Sequence, residues 1–125
     1  MKIVFISDTH LRHERYPIDV PECDLLIHSG DALARGSWDE LKVFATWIEG
    51  LKAKHKVFVA GNHDRIFQRD RKTAEGMLPK SVIYLQDSQV EIEGLKIYGS
   101  PWQPESCEWA FNLPRGHQLR KKWEA

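Results

Sequence analysis

Three short clusters in this sequence hold the side chains that could do chemistry: Asp8-Thr9-His10, Gly30-Asp31 and Gly61-Asn62-His63-Asp64. Asp8 and His10 are two positions apart, so in extended backbone both side chains point to one face. A carboxylate and an imidazole there can grip one divalent cation. Asp31 is the candidate bridge, because a carboxylate offers two oxygens and the charge to hold two metals ~3.5–4 Å apart. Asn62 supplies a neutral amide oxygen. His63, its neighbour, is expected to point away from Asn62, toward a substrate, as a donor to a phosphoryl oxygen or a leaving group. Asp64 reads as a support that accepts backbone or histidine hydrogen bonds. Gly30 and Gly61 let the chain turn sharply beside these groups.

Each cluster follows an apolar run. Residues 2–7 (KIVFIS), 23–30 (CDLLIHSG) and 56–61 (KVFVAG) read as buried strands. Between the second and third, Ser37 and Glu40 form a capping-box pattern, and Leu41, Phe44, Ala45, Ile48 and Leu51 recur at helical spacing. Strand, helix, strand implies a right-handed crossover and a largely parallel sheet. In such a sheet, ligands sit outside the carboxyl ends of the strands, which is where all three clusters fall. Alone, Asp8 or Asp31 could merely cap a turn; the ordered set reads as metal binding.

Further on, a short polar helical region after residue 65 is expected to break at Gly76 and Pro79. Strands follow at 82–85, 89–94 and 95–100, the last two joined at Glu93–Gly94 as a hairpin. Residues 101–114 read as an ordered loop, and a helix runs from Gly116 onward. The other polar residues have plainer readings. His28 is a core histidine and His55, in KAKHK, belongs to a solvated helix end. His13 either lines a pocket or is a solvated loop residue. Arg35 either meets a phosphate or is an exposed loop arginine. Trp102 and Trp109 anchor their loop, or wall a site for a base.

Composition limits the alternatives. With 42% hydrophobic and 29% charged residues, the chain reads as one globular domain. Lys+Arg and Asp+Glu both number 18, so no excess charge advertises a nucleic-acid or membrane surface. Cys23 and Cys107 form no CxxC pair and read as small, half-buried side chains in a reducing compartment. No leader or membrane-spanning segment is visible, which makes the cytoplasm the expected location.

Asp8-x-His10, Gly30-Asp31 and Gly61-Asn62-His63-Asp64, in this order and each after a strand, resemble the calcineurin-like metallophosphoesterases. The stretch 99–116 (GSPWQPESCEWAFNLPRG) is similar to the branch of small metallophosphoesterase-domain proteins whose members hydrolyse cyclic nucleotides and other phosphodiesters. The resemblance implies an α/β fold: the N-terminal half of a two-sheet sandwich, largely parallel, with flanking helices and a C-terminal hairpin. It implies a centre of two divalent cations (Mn, Fe or Zn) that activates water to attack phosphorus in line. Asp8, His10 and Asp31 would hold one cation, Asp31 and Asn62 would begin the second, and His63 would assist catalysis.

Two departures stand out. The family continues to an isolated histidine and a Gly-His-x-His motif, whereas GHQL (116–119) has Leu119 at the second position and begins a helix. The protein-phosphatase branch carries GDxVDRG; here GDALARG (30–36) puts Ala34 where an aspartate orients the catalytic histidine. The expected function is therefore hydrolysis of a small phosphoester at a dinuclear site completed by residues beyond 1–125, a partial domain. At most one metal would be firmly held by this chain, which alone would be weak or inactive. The alternatives are a truncated, non-catalytic binding module acting through a partner, or a fragment of a longer hydrolase. Self-association, or a second chain that supplies the missing half, is expected of either.

Overall fold

The computed structural model describes residues 1–12, 18–105 and 109–124. His13 and Cys107 lie outside the described residues. Strands β1 (Ile3–Ile6), β2 (Cys23–His28), β3 (Ala53–Phe58) and β4 (Val82–Tyr84) form one sheet in the order β1-β2-β3-β4, all parallel. Helix α1 (Trp38–Glu49) makes the β2–β3 crossover. Ser37 and Glu40 close a reciprocal capping box at its start, and Leu41, Phe44, Ala45 and Ile48 are buried on one side. The expected strand, helix, strand pattern is present, and β4 extends it by one strand.

Elements pack against both faces of the sheet, though β1 is left partly open on one of them. Phe44, Ile48, Leu26, Phe58, Ile66 and Phe67 belong to a core between the sheet and the helices. On the opposite face Leu25 and Val57 pack with Ile92, and with Val90 and Ile97, from the hairpin β5 (Ser88–Ile92) and β6 (Leu95–Gly99). That hairpin turns through Glu93 and Gly94, both at positive φ, the conformation a two-residue turn needs between twisted strands.

Three expectations fail for identifiable reasons. The KAKHK run is not a helix end: His55 and Lys56 lie in β3, paired with Leu25 and Leu26. Lys56 is buried, and its ammonium donates to the Glu49 carbonyl at the end of α1. The helical region after residue 65 breaks at Asp70, not Gly76. It forms α2 (Arg65–Arg69) and α3 (Arg71–Met77), with the Asp70 side chain capping α3 by accepting from Thr73 N–H. Finally, the segment 101–114 carries two short parallel strands, β7 (Gln103–Pro104) and β8 (Asn112–Leu113), before α4 (His117–Trp123). His117 is exposed at the first turn of α4.

Candidate metal centre

All three polar clusters leave the sheet at the carboxyl ends of β1, β2 and β3 and meet there. The backbone reaches this point by left-handed turns rather than by extended strand. Asp8, His10 and Leu11 have φ of 55°, 43° and 62°, and Asp31 has 58°. The alternating-strand argument for Asp8 and His10 therefore starts from the wrong backbone geometry, although the two side chains do come within 3.8 Å of each other. The 8–11 turn is instead held along the 30–32 turn: the N–H groups of Asp8, His10 and Leu11 donate to the carbonyls of Gly30, Asp31 and Ala32. Gly30 (φ 116°) permits the close approach, since a Cβ there would sit 2.8 Å from the Gly61 nitrogen.

Three side chains converge. His10, Asp31 and His63 place one ligand atom each within 4.8 Å of one another. Asp8 lies at the rim, with Oδ1 3.8 Å from His10 Nε2 and a side chain 64% exposed. The Ser7 hydroxyl holds the Asp8 carboxyl below its ordinary value, and His10 adds to this. Asn62 is half-buried between the Gly61 turn and Ala110, whose N–H donates to the Asn62 carbonyl. Arg35 is exposed in the loop before α1, its N–H donating to Glu40.

The orientation of the two imidazoles follows from their hydrogen bonds. His10 Nδ1 lies 3.0 Å from the Leu33 carbonyl and His63 Nδ1 lies 2.9 Å from the Ala34 carbonyl. A carbonyl can only accept, so both Nδ1 atoms carry protons, and in the neutral ring the lone pair is on Nε2. Neutral imidazole fixed in this way is the usual state of a metal-ligating histidine. The Ala34 carbonyl thus replaces the carboxylate that the position could have supplied. No motif announces this, because a backbone acceptor leaves no side-chain trace.

Asp64 holds the turns together from beneath. Its fully buried carboxylate accepts the N–H groups of Gly61 (2.8 Å), Asp31 (2.9 Å) and Leu33 (2.9 Å). Burial pushes its pKa up to about 6, while the N–H groups of Gly61, Leu33 and Ala32 pull the other way. The nearby Asp31 charge adds to the rise. Asp31 Oδ1 in turn accepts from His63 N–H at 3.0 Å. His28 is the buried core histidine: Gly30 N–H donates to its Nδ1, so Nε2 carries the proton and donates to the Thr9 hydroxyl. Burial lowers its pKa to about 4.

The two tryptophans diverge. Trp102 is an anchor, donating to Asp87 at 2.8 Å. Trp109 instead stacks on His63, ring centroids 4.1 Å apart at 30°. The Arg65 guanidinium lies 4.7 Å from the same indole.

Comparison with known proteins agrees with this geometry. The sequence profile of the calcineurin-like phosphoesterase family matches residues 1–120. Metallophosphoesterase domain-containing protein 1 of Homo sapiens and of Mus musculus is 37% identical over 145 aligned positions, covering 98% of this chain and 44% of theirs. A UPF0046 protein of Caenorhabditis elegans is 36% identical over 98% of this chain and 48% of its own length. The chain therefore spans about half the length of these curated relatives.

Proposed function

Since the chain belongs to the calcineurin-like phosphoesterase family, we propose that it carries part of a dinuclear centre for hydrolysing phosphodiesters, cyclic nucleotides among them. The observation that carries this reading is the pair of histidines with Nδ1–H spent on backbone carbonyls, grouped with Asp31 so that one ligand atom from each lies within 4.8 Å of the others. That donor set fits a divalent cation of the Mn, Fe or Zn kind. Asp8, His10 and Asp31 would hold the first cation. Asp31 and Asn62 would begin the second, with further ligands from residues beyond these 125 or from a partner. Bound there, the cations would supply Lewis acidity and a nucleophile at neutral pH. His63, fixed by Ala34, would offer its Nε2 side to the substrate. When protonated it can donate to the leaving oxygen, a contribution of roughly 10²–10⁴-fold.

One observation favours a second reading. His63, rather than Asp8, completes the tight three-residue group, so His63 could ligate a single cation with His10 and Asp31. Titrating the metal-free chain with Mn²⁺ and assaying bis(4-nitrophenyl) phosphate separates the two. On the dinuclear reading one equivalent survives dialysis, turnover is weak, and Asp31→Ala removes both. His63→Ala then lowers turnover while Mn²⁺ affinity stays within about threefold; a tenfold loss of affinity would make His63 a ligand. Two tightly held equivalents, or turnover indifferent to Asp31→Ala, would overturn the assignment. A longer chain that holds metal but hydrolyses no ester would mark a binding module.

A further inference from the structure

Beside the candidate centre, and sharing Trp109 with it, lies a cleft of about 250 Å³ lined by Arg65, Gln68, Arg69, Trp109 and Ala110. Its walls are set by tertiary contacts. Gln68 accepts the Phe111 N–H at 2.8 Å, and the Asn62 carbonyl accepts that of Ala110, which ties the loop before β8 to α2 and to the 61–64 turn. The cleft and the centre therefore share one indole, which stacks on His63 and also contacts Arg65.

Two features give the cleft a charge preference. Neither Arg65 nor Arg69 forms an ion pair among the described residues, although Arg71, two positions beyond Arg69, is paired with Glu75. Arg65 Nε is buried and has no hydrogen-bond partner in the protein. A buried, unanswered guanidinium N–H costs free energy that a bound acceptor recovers. Its fork geometry suits a phosphate or carboxylate.

Resting on the phosphoesterase reading above, we propose that this cleft is an anion subsite, selecting phosphoesters that carry a second anionic group about one aromatic ring's breadth from the phosphorus under attack. Gln68 spends its Oε1 on Phe111 and keeps only its neutral amide N–H groups for a ligand, so Arg65 and Arg69 supply the charge for recognition, and Trp109 sets the spacing between the subsite and His63.

Binding to the metal-free chain tests this without any turnover. Calorimetric titration at low ionic strength compares thymidine 3′,5′-bisphosphate with thymidine 5′-monophosphate. The bisphosphate should bind at least tenfold more tightly. Arg65→Ala and Arg69→Ala should each erase most of that preference, while Lys96→Ala, which removes a cation from the exposed hairpin, should keep it. Arg69 is exposed on its helix, so that variant remains informative if Arg65→Ala weakens folding. Equal binding of the two nucleotides, or a preference that survives both arginine substitutions, would overturn the subsite. Failure of ester hydrolysis in the Mn²⁺ assay would strike the phosphoesterase reading alone.

Discussion

Asp64 illustrates how a residue that touches no ligand can govern a centre. Its carboxylate answers three short N–H donors from two different turns, and replacing it leaves buried donors with nothing to accept them. Asp64→Ala should cost about 3 kcal/mol or more in urea unfolding; a loss under 1 kcal/mol would mean that water readily takes its place. His28 makes a pH-dependent contribution whose sign is fixed. Its folded pKa of about 4 lies below the ordinary 6.5, so the unfolded chain binds the proton more readily. The contribution is present above pH 6.5 and is lost as pH falls toward 4. Relative to His28→Gln, the native chain should lose on the order of 3 kcal/mol between pH 7 and pH 4. Parallel stability curves would refute it.

Among the elements, the 30–36 loop matters most, because it supplies the Asp31 side chain and the carbonyls that orient His10 and His63. It is anchored at one end by α1: Glu40 accepts from both Arg35 and Ser37 N–H at 3.0 Å. At the other end it meets Gly61, where an added Cβ would collide with the Asp31 carboxylate and lie 2.5 Å from the Asp31 nitrogen. Gly61→Ala should thus displace Asp31 and weaken Mn²⁺ binding at least tenfold. Gly76→Ala is the contrasting substitution: it sits within α3 with nothing within 4 Å of the new methyl. It should raise stability by about 0.5–1 kcal/mol and leave Mn²⁺ affinity alone. If both substitutions affect the metal equally, local collision is not the cause.

At the scale of the whole molecule, the sheet ends on β1, which among the described residues pairs only with β2. Phe5, in the middle of that edge strand, is 69% exposed. On the same face Ile3 and Ile27 are only partly covered. Open edges and contiguous apolar surface promote association. The isolated 125-residue chain should therefore pair with a second copy through this edge, and Phe5→Lys should shift it toward monomer in light scattering. A native chain that is monomeric at high concentration would contradict this.

The sequence by itself determined the parallel α/β order, the capped crossover helix, the Glu93–Gly94 hairpin and the gathering of Asp8, His10, Asp31, Asn62 and His63 at one sheet edge. These rest on short-range patterns: apolar runs, helical spacing and turn residues, which act on neighbours in the chain. Tertiary structure decided the rest. His55 looks like a solvated helix residue, yet pairing with β2 draws it into a strand. The left-handed turns at Asp8, His10 and Asp31 are held by hydrogen bonds between distant loops, and non-glycine residues give no local notice of them. The Leu33 and Ala34 carbonyls orient the two imidazoles, and Trp109 lies against His63 across 46 positions of sequence. Backbone acceptors and long-range ring contacts leave no spacing to read, because any residue can supply a carbonyl and only the folded chain brings it into reach.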